Sequence, residues 1–200
     1  MSATRVILAS TSSWRADLLS RLQVPFGQVD PEVDEDPYKE RGLPPRELVT
    51  ELAVAKARAV AARHPEALVI GSDQVAFLDG RVLGKPGTAE RAEAQLGLLA
   101  GRTHELVTGT ALIDGRTGDL HTAVDVHRMT MRTLSRQQIA SYIQREKPLD
   151  AAGSYYIEGL GIALFDGIDG SDFTAIIGLP LTQVVRLFTA SGIDVLAPLE

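Results

Sequence analysis

The chain has 200 residues, of which 44% are hydrophobic, and a formal net charge of −6 at pH 7. This length and apolar content favour one globular domain spanning residues 1–200 and exclude a disordered or fibrous protein. The acidic balance argues against a nucleic-acid or membrane-surface partner, because both surfaces are anionic. The absence of cysteine excludes disulfides and thiolate metal sites. No apolar run suits a signal peptide or a membrane span, so we expect a cytoplasmic protein.

A hydroxyl-rich loop joins the first predicted strand and helix. The apolar run 6–8 is typical of a buried strand, and Leu18 begins a helical stripe. Between them, the side chains of residues 10–13 (Ser10, Thr11, Ser12 and Ser13) add hydroxyl donors to the unpaired N–H groups of the first helical turn. Arg15 opposes the helix dipole there, so it suits a nearby ligand charge. The loop predicts a phosphate cradle, although an ordinary capped helix with Trp14 on the core would share the pattern.

Two further candidates lie in an acidic loop and in the helix that follows it. The proline-bounded segment 31–37 contains Glu35 and three other carboxylates, which indicates either a solvated turn or oxygen ligands for a divalent cation. The predicted helix over 46–63 places Lys56 in the middle of its apolar face. A lysine there must reach solvent, pair with an acid or meet an anion, because an unpaired buried ammonium group would lose its charge.

A short strand and a hairpin predict a second cluster. The apolar run 67–70 leads to Asp73, which places a carboxylate just beyond a strand end, where α/β sheets favour ligand sites. A hairpin turning at residues 79–80 then predicts that Lys85 returns close to Asp73. Lys85 does not belong to a P-loop, because Asp79 stands where that motif needs glycine and Pro86 where it needs serine or threonine.

The second half of the chain alternates helices and strands. The predicted helices are 88–99, 135–145 and 181–190, and the predicted strands are 104–113 and 120–132. Glu158 interrupts an otherwise uncharged part of a stretch rich in glycine and aromatic residues, where it is either functional or an ordinary surface glutamate.

Seven motifs in this order resemble the Maf family of nucleoside triphosphate pyrophosphatases. They are residues 8–15, 34–35, 52–57, 71–74, 84–86, 158–161 and 178–180. The resemblance implies an α/β fold, elongated and two-lobed, with a cleft around a central mixed sheet and a relation to inosine triphosphate pyrophosphatases. It also implies cleavage of a nucleotide between the α and β phosphates, with a divalent cation such as Mg²⁺ or Mn²⁺.

The resemblance also assigns roles within the predicted site. Asp73 matches the catalytic acid of the family, as a water-activating base or a metal ligand, and Glu35 is its metal partner. The phosphate-binding residues would be Ser10, Arg15, Lys56 and Lys85. These residue types suit the reaction, because hydrolysis of a phosphoanhydride requires an oriented water and compensation of the phosphate charge.

Three positions concern the base. The pyrimidine-preferring branch of the family usually has Arg, Thr and Gln where this chain has Trp14, Gln74 and Glu158. The combination instead resembles the branch that hydrolyses 7-methyl-GTP. Methylation at N7 makes guanine cationic, and a cationic ring gains from a tryptophan face and from a nearby carboxylate. Gln74 could contact either base or phosphate.

The sequence therefore favours a 7-methyl-GTP pyrophosphatase that removes a non-standard nucleotide. A dTTP/UTP pyrophosphatase of the same family is the first alternative, and a non-catalytic nucleotide-binding regulator of septum formation is the second. The expected partner is a nucleoside triphosphate, and the resemblance implies a homodimer.

Overall fold

A mixed β-sheet runs through the computed structural model, which describes residues 5–197. In this part of the chain the sheet has seven strands: β1 (Val6–Ala9), β2 (Phe26–Val29), β3 (Leu68–Leu78), β4 (Arg81–Leu83), β5 (Thr103–Asp114), β6 (Leu120–Met131) and β7 (Phe165–Asp169). The order is β2-β1-β3-β5-β6-β7, with β4 paired to β3. β1 is parallel to β2 and β3, and the other pairs are antiparallel. The predicted α/β class with a central mixed sheet is confirmed.

Helices cover both faces of this sheet. They are α1 (Ser13–Ser20), α2 (Asp36–Lys39), α3 (Pro45–Ala61), α4 (Ala89–Leu99), α5 (Arg136–Glu146), α6 (Phe173–Ile177) and α7 (Leu181–Ala190), with 3-10 turns at Ala152–Ser154 and Leu160–Leu164. The five longer predicted helices are all present, and the capping box of Ser135 with Gln138 begins α5 as predicted. The structure adds β2, β7 and α6, which the sequence did not predict. The acidic segment predicted to lack regular structure runs into the short helix α2.

The position predicted for Asp73 is wrong in one respect. β3 is a single strand of 11 residues, and Asp73 lies inside it instead of beyond its end. The parallel pairing of β3 with β1 ends where Ala9 meets Gly71, whereas the antiparallel pairing with β5 continues to Phe77. Asp73 therefore lies just past the carboxyl end of β1, where the neighbouring strand stops and its loop begins. The expected proximity to a strand end is supplied by β1 and not by β3.

Two glycines let α3 lie directly on the sheet. A Cβ at Gly71 would come within 2.1 Å of the Ala53 carbonyl oxygen, and one at Gly109 within 2.5 Å of the Val49 carbonyl oxygen. Gly109 is also the partner of Asp73 in the β3–β5 register. The close approach of α3 thus brings its apolar face against the strand that carries the predicted catalytic acid.

The core alternates between the two sides of the sheet. Val6 and Leu8 pack with residues of α1 and α7, whereas Ile7 and Ala9 pack with residues of α3. A further cluster joins the far half of β3 to α4 and α5. Across residues 5–197, none of the helices combines the length and apolar character needed to cross a membrane.

Candidate functional site

A cleft at the carboxyl end of β1 contains two adjoining cavities. The first, which we call the loop cavity, has a volume of about 530 Å³ and is lined by residues 9–15 and by the acidic loop. The second, the strand cavity, has a volume of about 300 Å³ and is lined by Asp73, Gln74 and Glu158 among others. Eight residues line both cavities: Ser12, Trp14, Arg15, Glu35, Lys56, Lys85, Asp150 and Tyr156. The two cavities are therefore neighbouring parts of one site.

One ammonium group joins the two carboxylates predicted to act together. Lys56 Nζ lies 2.6 Å from Asp73 Oδ1 and 2.7 Å from Glu35 Oε1. Lys56 and Asp73 are both 7% exposed, so this contact lies in the protein interior. The other oxygen of Glu35, Oε2, pairs with Lys39 Nζ at 2.8 Å. The lysine on the apolar face of α3 therefore meets acids, one of the three outcomes that its position allowed.

The two carboxylates titrate in opposite directions. Burial alone would raise the pKa of Glu35, but the ammonium groups of Lys56 and Lys39 outweigh it and lower that pKa to about 2. Burial raises the pKa of Asp73, and the charge of Glu35 acts in the same direction against Lys56 and Arg15. Asp73 is thus the more basic carboxylate of the pair, which suits a group that accepts a proton.

The hydroxyl-rich loop forms a cap and a cradle. The side chain of Ser12 accepts a hydrogen bond from the Arg15 backbone N–H, as an N-cap residue does. Ser10 is buried, and its Oγ accepts from the Ser12 N–H at 3.2 Å. As an acceptor in that bond, the Ser10 hydroxyl keeps its own proton available for a ligand. The loop lines the larger cavity, which fits the predicted anion cradle.

Two predicted site residues are held by backbone carbonyls. Arg15 donates from Nε to the Gly178 carbonyl and from Nη1 to the Ser72 carbonyl, both at 2.9 Å. Gln74 donates from Nε2 to the Ala175 carbonyl at 2.7 Å and to a second carbonyl of α6. Because these protein acceptors occupy the amide nitrogen of Gln74, the group it can offer to a ligand is its carbonyl oxygen.

An aromatic and acidic part of the cleft adjoins the cradle. Trp14 is 44% exposed, and its ring centroid lies 6.3 Å from that of Tyr156 at an interplanar angle of 38°. Glu158 follows two residues later in the same loop and lines the strand cavity. Burial raises the pKa of Glu158, and nearby Glu146 adds to the effect. A cationic ligand beside Glu158 would stabilise its ionised form against both the burial and the charge of Glu146.

Glu35 and Asp73 are two residues of the cleft that fit a divalent metal ion. Within residues 5–197 no group of three or more histidine, aspartate or glutamate side chains converges as a metal site. Glu35 and Asp73 nevertheless direct one oxygen each at the same cation, the ammonium of Lys56. Two hard carboxylate ligands suit Mg²⁺ or Mn²⁺ when phosphate oxygens and water complete the coordination. The roles of Glu35 and Asp73 as metal ligands stay predictions.

All nine predicted site residues line one or both cavities: Ser10, Trp14, Arg15, Glu35, Lys56, Asp73, Gln74, Lys85 and Glu158. Lys85 shares the strand cavity with Asp73, as the hairpin predicted. Lys39 and Tyr156 are among the lining residues that the sequence did not predict. Lys39 had a usable signal, because a proline in the first turn favours a helix, and helical spacing places Lys39 one turn after Glu35. Tyr156 lies in a loop, and no sequence pattern marked it as a site residue.

Comparison with known proteins identifies a family model and close relatives that match nearly the whole chain. Residues 5–191 match the family model described as Maf-like protein. A protein named 7-methyl-GTP pyrophosphatase from Xanthomonas oryzae pv. oryzae (strain MAFF 311018) is 50% identical over 188 residues, or 94% of this chain and 97% of that one. Another of the same name from Aromatoleum aromaticum is 46% identical over 96% of this chain and 98% of its own.

Two solved structures share the fold at low sequence identity. A HAM1 protein from Coxiella burnetii has a TM-score of 0.52 and 14% identity, and it covers 94% of this chain and 99% of that one. The Ham1 protein of Staphylococcus aureus also has a TM-score of 0.52, with 13% identity over 94% of this chain and all of its own. At this identity the similarity concerns the fold alone.

Proposed function

Because the chain belongs to the Maf family, we propose that it hydrolyses 7-methyl-GTP between the α and β phosphates, giving 7-methyl-GMP and pyrophosphate. The reaction removes a non-standard nucleotide. The observation that carries the proposal is that Asp73, Lys85, Trp14 and Glu158 line one cavity. This cavity supplies a buried base, a cation for phosphate, and an aromatic face with a carboxylate for a cationic ring.

The reaction needs a water molecule placed in line with the bond that breaks. Asp73 accepts the proton of the water that attacks the α phosphorus, a role helped by the raised pKa of its carboxyl. The bond from the α phosphorus to the bridging oxygen breaks, and pyrophosphate leaves with the bonding electrons. Glu35 and Asp73 would hold a divalent cation, which supplies positive charge to the phosphate oxygens. Proton transfer of this kind contributes roughly 100- to 10,000-fold to a rate.

The phosphate charge is met by the remaining cations and hydroxyls of the cleft. Ser10 donates its hydroxyl proton from the cradle, and Lys85 supplies an ammonium group from the hairpin side. Lys56 exchanges part of its contact with the two carboxylates for a phosphate oxygen. Arg15 keeps its bonds to the Gly178 and Ser72 carbonyls and presents its remaining N–H donors. Binding energy at these groups orients the phosphates for attack.

The base is recognised by the aromatic and acidic residues of the cleft. Trp14 stacks on the methylated ring, and Glu158 accepts hydrogen bonds from its N–H edge. The carbonyl oxygen of Gln74 would repel a phosphate oxygen, so its role is to accept from a base N–H group. Unmethylated GTP lacks the ring charge and loses the electrostatic part of both contacts.

The test is pyrophosphate release in the presence of Mg²⁺ from 7-methyl-GTP, GTP, dTTP, UTP and ITP at matched concentrations. We expect the highest kcat/KM for 7-methyl-GTP, and Trp14→Ala should reduce it far more than it reduces the value for GTP. Preference for dTTP or UTP would establish the first alternative and contradict the base assignment. Nucleotide binding without turnover of any substrate would support the regulator of septum formation instead.

A further inference from the structure

We propose that Tyr156 forms, with Trp14, a two-sided aromatic slot for the cationic ring of the base, an inference that rests on the proposed function. The family resemblance assigns base recognition to Trp14, Gln74 and Glu158 and gives Tyr156 no role. In the structure, however, Tyr156 lines both cavities, as Trp14 does. The slot consists of these two rings, and Glu158 is the carboxylate at its edge.

The spacing of the two rings fits an inserted plane. Their centroids are 6.3 Å apart and the planes are inclined by 38°, so the rings are not stacked on each other. Stacked bases are about 3.4 Å apart, so a planar ring between two others requires roughly twice that separation, about 7 Å. A small separation of the pair, with a rotation of the exposed Trp14 ring toward parallel, would admit the purine.

The backbone behind one wall of the slot is anchored, and the other wall is exposed. The Tyr156 backbone N–H donates to the Tyr142 hydroxyl at 3.0 Å, and Tyr142 is itself only 3% exposed. Trp14 stands at the beginning of α1 with 44% of its surface exposed, which leaves its side chain room to rotate. The anchored backbone reduces the entropy lost when the ligand orders this loop, and the exposed Trp14 ring supplies the small movement that insertion requires.

The charge around Tyr156 favours a cation over a neutral ring. Asp150 lines both cavities beside Tyr156, and Glu158 lines the strand cavity. Burial raises the pKa of the Tyr156 hydroxyl, and the negative charges of Asp150, Glu158 and Glu146 add to the effect. A positive ring between the two aromatic faces meets this negative potential and gains cation–π attraction on both sides.

The single tryptophan of the chain provides a direct test. Quenching of Trp14 fluorescence would be titrated with 7-methyl-GMP and with GMP, products that cannot be hydrolysed further at the α–β bond. Loss of one cation–π face should reduce the preference for the methylated nucleotide by about 3- to 30-fold in Tyr156→Leu. Tyr156→Phe keeps the aromatic face and should retain the parent's preference. Phe173→Leu removes an exposed aromatic that lines neither cavity and serves as the control.

The outcomes separate this inference from the proposed function. If the parent protein prefers 7-methyl-GMP and Tyr156→Leu keeps the full preference, the slot is wrong and the proposed function stands. If Tyr156→Leu weakens both nucleotides equally, Tyr156 acts through shape and the slot is also wrong. If the parent protein binds both nucleotides equally, the proposed base recognition itself is contradicted. A thermal melt like that of the parent shows that Tyr156→Leu is folded, and a larger loss of affinity for 7-methyl-GMP than for GMP then supports the slot.

Discussion

Asp73 shares the ammonium group of Lys56 with Glu35, so substitution of this single side chain separates the chemistry of the site from its structure. In Asp73→Asn the neutral amide cannot accept the proton of the attacking water, and we expect kcat to fall by about 100-fold or more. The fold should persist, because Lys56 keeps its contact with Glu35. The measurement is steady-state release of pyrophosphate together with a thermal melt. Asp79→Asn changes an exposed carboxylate outside the cleft and should retain full turnover.

Full turnover of Asp73→Asn would show that another group activates the water. In that case Glu35 would be the next candidate, although its pKa of about 2 makes it a weak base.

A buried histidine outside the cleft makes stability depend on pH. His104 is 2% exposed, its Nε2 lies 2.9 Å from the Tyr155 hydroxyl, and its Nδ1 has no partner among residues 5–197. Burial lowers its pKa from 6.5 to about 4. The unfolded chain takes up this proton below pH 6.5, but the folded chain does so only near pH 4. The stability from neutral His104 is therefore present above pH 6.5 and lost as the pH falls toward 4.

The corresponding prediction concerns His104→Gln. Between pH 7 and pH 4, the free energy of unfolding of the parent should fall by about 2 to 3 kcal/mol more than that of the variant. Urea denaturation at a series of pH values measures this difference. His64→Gln removes a partly exposed imidazole and should give the parent's profile. Parallel profiles for the parent and His104→Gln would show that burial does not hold His104 neutral.

At the scale of elements, the close contact of α3 with the sheet places Lys56 beside Asp73. Gly109→Ala would insert a methyl group within 2.5 Å of the Val49 carbonyl oxygen, so α3 must move away from β5. We expect a loss of stability of about 1 to 3 kcal/mol, with lower kcat because Lys56 moves relative to the carboxylates. Chemical denaturation and steady-state kinetics measure the two effects. Gly27→Ala is the matched control, since nothing lies within 4 Å of its new methyl group.

Unchanged stability and turnover in Gly109→Ala would mean that α3 can shift freely and that its contact with the sheet does not position Lys56.

The elements that the sequence predicted well carry their own local signals. Three helices, α4, α5 and α7, begin at capping residues or a proline and carry regular apolar spacing. Their predicted bounds therefore agree closely with the observed ones. β2 is four residues long and contains Gly27, and its stability comes from pairing with β1, which no local pattern records. β3 was divided by Gly71, because a glycine in a strand marks a break unless a helix is known to pack on it.

In the candidate site too, some residues carry a local sequence signal and others are brought together only by the fold. Lys56 was predictable because a charge on an apolar helix face conflicts with burial and demands a partner. The sequence did not name Glu35 and Asp73 as its partners, since 38 residues separate these two carboxylates in the chain and the fold brings them together. Tyr156 could not be found at all, because its role depends on where a loop lies relative to Trp14. The homodimer stays a prediction.

At the scale of the whole molecule, we expect Lys56 to keep the cleft folded without a metal ion. Its ammonium group supplies the positive charge that Glu35 and Asp73 need, so their repulsion is compensated before any cation binds. We therefore expect a chelator to abolish turnover and leave the melting temperature of the parent unchanged. A structural metal would behave differently, because its removal unfolds the chain. Thermal melts with EDTA and with Mg²⁺, each paired with an activity assay, measure both effects.

In Lys56→Met, we expect the stability of the protein to depend on the metal ion. Removal of the buried ammonium takes the nearest cation from Asp73 and leaves Glu35 with Lys39 alone. We expect a cost of about 3 kcal/mol, since Asp73 can take up a proton in response. For a chain of this size the melting temperature should fall by roughly 6 to 12 °C, and Mg²⁺ should restore part of the loss by binding the folded state. Lys39→Met is the matched control: it removes an ammonium from the same Glu35, but one whose side chain is 46% exposed, so the change should be small. If EDTA destabilised the parent protein as strongly as it destabilises Lys56→Met, the role of Lys56 would be contradicted. The metal ion would then be what stabilises the cleft.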